Sequence, residues 1–259
     1  MTMKNLLAFG TLLGVASLAS AQVSTINSAR IYRQFTDDTT SNYSFTNSYP
    51  GSIELSDLSV DTNSPGNFAN RDNWDFSADG GTTSYVFKNN DFFSVTMDVT
   101  LSLPNGSSVS PRKEAGFLLS TAGGQGQFIV NTDAHEIVAF GGPLPFYSFN
   151  VNNGLSYNAG DTVTLGMRYY LDTGDGMRKV IYSVNGIQSA PQTFTNLEQG
   201  IIDGSTLGGY LQVPISNGHD ENGGDAVFGK INMTAVPEPA SVAALGIGVI
   251  ALARRRRRA

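Results

Sequence analysis

The sequence predicts an all-β protein, a jelly-roll-like sandwich of two antiparallel sheets, with a signal helix before it and a membrane helix after it. Apolar residues recur at every second position, most clearly from Phe93 to Leu103, which is the period of a half-buried strand. Glycine-rich turns such as Asn185-Gly186 separate the short apolar segments. No long segment of the body follows the 3.6-residue period of a helix. Many short strands joined by such turns are typical of a sandwich or barrel.

The alternation marks the expected strands in order along the chain. Thr162–Leu171 and Val180–Val184 flank the turn Asp172–Gly176, so this pair is expected to form a hairpin. The polar segment Ser24–Asn73 is expected to supply edge strands and loops. The other expected strands are Ala29–Phe35, Ser84–Phe87, Phe93–Leu103, Glu114–Ser120, Gln127–Val130, Glu136–Phe140, Tyr147–Val151, Leu207–Val213 and Ala226–Thr234. A body of this length fits two broad sheets better than an immunoglobulin-type module of ~100 residues.

Three regions are expected along the 259 residues: a signal peptide over 1–21, a sandwich domain over 22–235 and a sorting tail over 236–259. The first region has one early lysine, Lys4, then an apolar run, then Ala19-Ser20-Ala21. This order of charged, apolar and small residues is that of a cleavable secretory signal. We therefore expect the protein to be exported.

The tail joins a Pro-rich segment, an apolar segment and a basic end. Val236-Pro237-Glu238-Pro239 precedes an uncharged stretch that ends at Ala253, and Arg254, Arg255, Arg256, Arg257 and Arg258 follow. From Ala240 to Ala253 a helix would be ~21 Å long, against a hydrocarbon thickness of ~30 Å. The segment would thus span a membrane only marginally, with the arginines as a stop on the cytoplasmic side.

These tail features resemble the PEP-CTERM sorting signal. The resemblance implies recognition of Pro237, Glu238 and Pro239 by an exosortase, a membrane transpeptidase, in bacteria that make extracellular polysaccharide. One alternative is that the arginine run binds nucleic acid, which the preceding apolar segment and the secretory leader oppose. Another is that the tail remains as a permanent anchor in the inner membrane.

The body resembles the concanavalin A-like lectin/glucanase sandwich from Trp74 to Thr234. The resemblance follows the order of Glu114–Leu119, Gly160–Val163, Tyr169–Leu171, Val184–Gly186 and Leu207–Tyr210 after the long strand that ends at Leu103. It implies a carbohydrate-related function without naming a sugar.

Composition excludes several classes of function. The chain has no cysteine, so disulfides and thiolate zinc sites are ruled out. Between Gln22 and Ala235 there are 10 basic and 21 acidic residues, a net charge of −11. Such a body repels nucleic acid, because binding phosphates requires clustered cations. Cations and neutral polymers are the expected partners, and an extracellular polysaccharide is one such polymer.

The sequence leads us to expect that the protein is not an enzyme. Glycosidases need two carboxylates facing one cleft, but Glu54 and Asp57 are three residues apart and so lie on opposite strand faces. Asp133 and Glu136 have the same spacing. The histidines, His135 and His219, fall in acidic loops, and no nucleophile elbow is present.

Calcium is the one cofactor that the sequence raises. Acidic glycine loops supply the oxygen ligands that calcium prefers, and two candidate sites follow: one at Asp172 and Asp175, the other at Asp220, Glu221 and Asp225. Neither has the twelve-residue pattern with a terminal glutamate. The alternative is that both are ordinary turns in which Asp and Gly relieve backbone strain.

Aromatic side chains provide candidate carbohydrate contacts, because flat rings stack on sugar faces. The candidates are Tyr170, on the polar side of its strand, Trp74 and Tyr147. The alternatives are that Trp74 lies in the core and that Tyr147 caps a sheet end. Overall the sequence favours an exported structural or adhesive protein of the cell surface or extracellular matrix, held first at the inner membrane. The second hypothesis is a lectin-like or glycan-degrading domain.

Overall fold

The computed structural model describes residues 23–59, 68–104, 107–194, 202–215 and 222–236. Within these ranges the chain forms fifteen β-strands and one short α-helix, and the strands build two antiparallel sheets. The predicted all-β sandwich is confirmed. The predicted signal helix and membrane helix lie outside the described residues.

The first sheet, sheet A, has seven strands. In spatial order they are β1 (Ser28–Thr36), β4 (Ala69–Ser77), β14 (Thr206–Pro214), β6 (Glu114–Thr121), β7 (Gly124–Asn131), β8 (Ile137–Phe140) and β9 (Tyr147–Ser148). Neighbours in this order are antiparallel.

The second sheet, sheet B, has eight strands. In order they are β12 (Ile187–Gln188), β11 (Arg178–Val184), β10 (Thr162–Leu171), β5 (Phe93–Ser102), β15 (Asn222–Ala235), β3 (Ser52–Ser59) and β2 (Asn42–Ser48), and β13 (Gln192–Thr193) also pairs with β11. The hairpin of β10 and β11 is as the sequence predicts. At the far edge, every residue of β2 is exposed.

The core lies between the sheets. Strand β5 alternates buried and half-buried residues along its whole length, as its apolar alternation predicts. Trp74 of sheet A and Phe228 of sheet B meet there with ring centroids 5.8 Å apart. The inward side chains of the two sheets, together with their loops, make one continuous apolar cluster.

Strand β4 differs from the expectation that Ser24–Asn73 holds edge strands and loops. It is an interior strand, and all of its residues are buried. Trp74 and Phe76 face the core, whereas Arg71, Asn73 and Asp75 face the other side of the sheet. Its polar composition therefore reflects a buried polar surface.

Two predicted strands are wrong in detail. Tyr147–Val151 is expected to be a strand, but only Tyr147–Ser148 pairs, and the helix α1 (Phe149–Asn153) follows. Ser148 caps this helix by accepting a hydrogen bond from the Val151 amide, and Gly154 ends it in the left-handed conformation. Ser84–Phe87 forms only a single bridge, between Phe87 and Ser205.

A buried ion cluster joins the two sheets where β1 and β4 of sheet A lie near β3 of sheet B. The Nε of Arg33, in β1, lies 2.7 Å from Asp72 Oδ1 in β4, and its Nη2 lies 2.5 Å from Asp57 Oδ2 in β3. Asn70 donates to the other oxygen of Asp57 at 3.0 Å. Burial, strengthened by the neighbouring Asp57 carboxylate, raises the pKa of Asp72 to about 7. We call Arg33, Asp57 and Asp72 the Arg33 cluster.

Candidate functional site

The outer face of sheet A, the side turned away from sheet B, is the candidate site. Because side chains alternate along a strand, the neighbours of inward residues such as Phe117 point outward. Four of these outward residues, Leu118, Ile129, Val138 and Tyr210, form a second apolar cluster that is separate from the core, with Phe140 packed against it. They are at most 5% exposed although they lie outside the sandwich. These side chains are therefore packed against one another and their neighbours on this face and are almost closed to solvent.

Strand register arranges the outward residues of this face in three rows across the sheet. The first row is Phe35, Arg71, Gln212, Glu114 and Asn131. The second is Tyr32, Asn73, Tyr210, Gly116, Ile129 and Val138. The third is Arg30, Asp75, Gly208, Leu118, Gln127 and Phe140. The charged residues of these rows thus lie on β1, β4 and β6, whereas β8 contributes only the apolar Val138 and Phe140.

Arg71 is the buried cation of this face. It is 6% exposed, and its guanidinium lies 4.8 Å from the centroid of the Tyr210 ring and 5.1 Å from that of Phe35. Its Nε donates to Gln212 Oε1 at 2.9 Å, and its Nη1 donates to Gln125 Oε1 at 2.6 Å. Burial lowers the pKa of Arg71. No carboxylate among the described residues lies within ion-pair distance of it.

Gln125 and Gln34 cover Arg71 on the solvent side. Gln34 is exposed and Gln125 is half-buried. Gln34 Oε1 accepts from Gln125 Nε2 at 3.0 Å and from Asn73 Nδ2 at 3.1 Å. The buried guanidinium is therefore separated from solvent by two neutral carboxamide side chains.

Tyr210 and Glu114 lie beside Arg71. The Tyr210 hydroxyl donates to Glu114 Oε2 at 2.9 Å, and both residues are buried. Burial and the Glu114 carboxylate raise the pKa of Tyr210 well above 10, so the phenol is protonated at neutral pH.

Arg112 Nε lies 3.4 Å from Glu114 and 3.5 Å from Asp133, and its Nη2 pairs with Glu136. This end of the first row is acidic, since three carboxylates share one guanidinium.

A second polar group lies at the β1 side of the face. Asp75 is buried and accepts hydrogen bonds from the Tyr32 hydroxyl at 3.1 Å and from Ser84 Oγ at 2.7 Å. Burial raises the pKa of Asp75. Between it and Arg71 lies Asn73, which is 0% exposed and whose Oδ1 has no hydrogen-bond partner. An orphaned buried acceptor of this kind calls for a donor.

The predicted carbohydrate contacts lie elsewhere. Trp74 faces the core and is 0% exposed, so its ring cannot stack on a sugar, and the core alternative is the correct one. Tyr147 is half-buried against Phe149, and its hydroxyl donates to Asn153. Tyr170 is half-buried on the outer face of sheet B, with Arg168 over its ring at 5.0 Å. None of the three lies among the polar rows of sheet A.

The first calcium candidate, Asp172 and Asp175, comes together around a lysine. Lys179 Nζ lies 2.6 Å from both carboxylates, so its ammonium occupies the position between them and offsets one of the two charges. Asp225 accepts a hydrogen bond from Ser56 at 2.5 Å. Asp220 and Glu221 lie outside the described residues, and within the described ranges no group of three acidic or histidine side chains is placed to hold a metal ion. Calcium at Asp220, Glu221 and Asp225 stays a prediction.

Sequence reasoning missed the residues of this face, Arg71, Gln125, Glu114 and Tyr210. The signal was present in Arg71-Asp72-Asn73-Trp74-Asp75, where Arg71, Asn73 and Asp75 share one side of a strand. Read as an interior strand, this segment would have predicted a polar outer face. Gln125 and Tyr210 carry no such signal, because only strand pairing brings them to Arg71.

Comparison with known proteins identifies the tail and the fold. Residues 235–258 match the PEP-CTERM protein-sorting motif, whereas no curated protein matches the chain. The fold is similar to that of alginate lyase AlgAT5 of polysaccharide lyase family 7, with a TM-score of 0.52 and 8% identity over 85% of this chain and 100% of that one. It is similar to alginate lyase PA1167 from Pseudomonas aeruginosa, with a TM-score of 0.52 and 12% identity over 74% of this chain and 86% of that one.

A glycoside hydrolase family 16 endo-glucanase from Bacteroides ovatus also matches, with a TM-score of 0.48 and 11% identity over 80% of this chain and 94% of that one. The resemblance to a concanavalin A-like sandwich is confirmed, as a fold, by the two alginate lyases. At these identities the similarity shows the fold alone.

The expectation that the chain is not an enzyme is contradicted, because AlgAT5 and PA1167 are enzymes with this fold. Paired carboxylates facing one cleft are a requirement of glycoside hydrolysis and not of every reaction that cleaves a polysaccharide, so their absence from one strand does not exclude an enzyme.

The sorting motif establishes the coarse route of the protein. A PEP-CTERM tail means export and handling by an exosortase on the way to the cell surface. The tail itself, with Pro237, Glu238, Pro239 and Arg254–Arg258, lies outside the described residues. Within those residues, no helix has the length and apolar character needed to cross a bilayer.

Proposed function

We propose that the protein is an adhesive component of the cell surface or extracellular matrix that binds an acidic polysaccharide on the outer face of sheet A. In this proposal the leader ends at Ala21, and the tail from 236 holds the chain in the inner membrane until an exosortase processes it at Pro237-Glu238-Pro239. The enzymes that share the fold are named for alginate, an acidic polysaccharide, which is consistent with this class of ligand.

The observation that carries the proposal is the environment of Arg71. A buried guanidinium is ordinarily paired with a carboxylate, because an uncompensated buried charge is costly. Here the described partners are the carboxamide oxygens of Gln212 and Gln125. A carboxylate adds the attraction of opposite charges, which a neutral carboxamide oxygen lacks, and it can accept two guanidinium hydrogen bonds at once. An arriving sugar carboxylate can therefore replace Gln125 at Arg71.

The geometry allows this exchange without opening the sandwich. Gln125 is bound to Arg71 on one side and to Gln34 on the other, and Gln34 is exposed. Rotation of these two side chains gives access to the Arg71 guanidinium. The exposed ring of Phe35 flanks the guanidinium and gives the sugar an apolar surface to contact.

The test is to place a carboxylate of the protein where we expect that of the ligand. Gln125→Glu should pair with Arg71, keep the fold, and reduce binding of alginate and of hyaluronan oligosaccharides to the purified exported protein at least about tenfold. Gln127→Glu is the matched control, since it adds the same charge two residues along the same face but beside Leu118 and Phe140. Calorimetry with dextran, a neutral polysaccharide, tests whether binding depends on the carboxylate of the ligand. Unchanged binding by Gln125→Glu would exclude Arg71 as the carboxylate-binding residue.

A second candidate is cleavage of the same polysaccharide by β-elimination, and Tyr210 favours it. Elimination from a uronate requires a cation to neutralise the carboxylate and a group that transfers a proton. Arg71 supplies the first. The Glu114 carboxylate can take the phenol proton of Tyr210, so that the phenolate removes the proton from C5 and then gives it to the glycosidic oxygen that departs from C4.

Elimination leaves an unsaturated uronate, which absorbs in the ultraviolet. If the protein cleaves, the absorbance of an alginate or hyaluronan solution should rise, and Tyr210→Phe should abolish the rise while binding persists. Saturable binding without a rise in absorbance would exclude cleavage and leave adhesion as the function.

A further inference from the structure

We infer that the polysaccharide carries its acidic residues singly, separated by neutral sugars, rather than a carboxylate on every residue. This inference rests on the proposed function and specifies its ligand. It depends on where the charges of the outer face of sheet A lie relative to Arg71.

Arg71 and Arg30 are the cations of this face that have no carboxylate within ion-pair distance among the described residues. Arg30 lies in register with Asp75, and its Nη1 donates to Ser84, which in turn donates to Asp75. Arg112 is surrounded by Glu114, Asp133 and Glu136. Arg112 is thus paired with carboxylates directly and Arg30 is linked to one through a hydroxyl, whereas the hydrogen bonds of Arg71 go to the carboxamides of Gln212 and Gln125. The face therefore offers a ligand one such guanidinium and not a row of them.

Acidic groups stand on both sides of that cation. Across the sheet, Glu114 is two strands away in the same row, ~10 Å by strand spacing, and the Arg112 group beyond it is net negative. Along β4, Asp75 is four residues from Arg71, ~13 Å by strand rise. A ligand longer than one sugar that is anchored at Arg71 reaches an acidic side chain in either direction.

The groups between these charges are acceptors that require donors. Asn73 Oδ1 is buried without a hydrogen-bond partner, and it lies on β4 between Arg71 and Asp75. Sugar hydroxyls and acetamido N–H groups are donors, whereas a carboxylate only accepts. The positions next to the acidic sugar thus match neutral residues and repel a second uronate.

The experiment compares two acidic oligosaccharides of similar length. In hyaluronan, glucuronate alternates with a neutral amino sugar, whereas in oligogalacturonate each residue has a carboxylate. We expect the purified exported protein to bind hyaluronan oligosaccharides about tenfold more tightly at low salt. Glu136→Gln, which removes a half-buried carboxylate from the acidic end without touching Tyr210, should narrow that ratio by strengthening oligogalacturonate binding.

Asp225→Asn is the matched control, because it removes one carboxylate from the outer face of sheet B and should leave the ratio unchanged. Equal affinities, or a preference for oligogalacturonate, would overturn the inference; if Gln125→Glu still abolished binding, the proposed function would stand. Failure of the protein to bind either oligosaccharide would overturn both.

Discussion

Arg33 serves two carboxylates on different sheets with a single guanidinium. Asp57 and Asp72 are both almost inaccessible to solvent, and the charge of Arg33 compensates only one of them. Burial raises the pKa of both aspartates, that of Asp72 to about 7. The contact between the sheets at this edge is therefore most favourable when the pair retains one proton.

This cluster predicts how stability depends on pH. Because the pKa of Asp72 is higher in the folded state than its usual value of 3.8, its contribution is fully present below pH ~4 and is lost as the pH rises through about 7. The free energy of unfolding should fall between pH 5 and pH 8 by on the order of 2–4 kcal/mol. Urea denaturation at several pH values measures it.

Asp72→Asn should flatten this dependence, because an amide does not ionise. Asp98→Asn is the control: the pKa of Asp98 is lowered, so its contribution changes only in more acidic solution. If Asp72→Asn kept the full slope from pH 5 to pH 8, the Arg33 cluster would not be its source.

At the residue scale, the sequence shows which residue types are present but not which side chains surround them in the fold. Trp74 is conspicuous as the single tryptophan, yet its ring lies in the core. Arg71, three positions before it, is an ordinary arginine until strand pairing sets Gln212 beside it and brings Gln125 within hydrogen-bond distance. Such a site arises from contacts between residues more than 50 positions apart, which no local pattern records.

At the scale of elements, β4 and β14 approach closely where glycine removes the side chain. A Cβ on Gly208 would lie 1.8 Å from the backbone oxygen of Trp74, and one on Gly209 would lie 2.6 Å from the indole nitrogen. β4 and β14 are neighbouring strands in the part of sheet A whose outer face carries Arg71, Asn73 and Gln212. Their glycines permit Trp74 to pack inward beneath the binding face.

We therefore expect Gly208→Ala to destabilise the fold by about 3 kcal/mol, at the upper end of overpacking costs, because the strand backbones would have to separate. Gly229→Ala in β15 is the matched control, since its Cβ would meet atoms no nearer than 3.8 Å, and its effect should stay within about 0.5 kcal/mol. Thermal melting of the two variants compares them. Equal melting temperatures would show that β4 and β14 can move apart freely.

Long alternating strands were predictable, and short or polar elements were not. Phe93–Leu103 agrees with β5 to within one residue because each inward position is apolar. Tyr147–Val151 alternates in the same way over too few residues, and the capping of Ser148 and Gly154 outweighs that pattern. β4 was obscured because both of its faces are buried and one of them is polar.

At the scale of the whole molecule, the sandwich and its tail have separate tasks. The body contains the candidate binding face, and the PEP-CTERM motif over residues 235–258 determines where the body is delivered. Strand β15 ends at Ala235, where the motif begins. Processing near Pro237 would thus remove no residue that pairs in either sheet.

We predict that the mature protein lacks Arg254–Arg258. Mass spectrometry of the C-terminal peptide from protein recovered at the cell surface should show an end near Pro237-Glu238-Pro239. Replacing the triplet with Ala-Ala-Ala should leave the full-length chain in the inner membrane. If the sandwich domain of this variant is still folded, the defect lies in sorting and not in folding. Surface protein that retains all five arginines would rule out processing.

Strand β2 is an edge strand of sheet B, with no strand paired to its outer side among the described residues. Its seven residues, Asn42–Ser48, are all exposed, carry no charge and include Tyr43 and Phe45 stacked at 6.0 Å. Backbone amides and carbonyls on such a margin accept another extended chain, and charged residues are the usual deterrent. At the high protein concentration of a cell surface, we therefore expect neighbouring molecules to associate through their β2 strands. Ser44→Lys would place a charge on this edge and oppose that association.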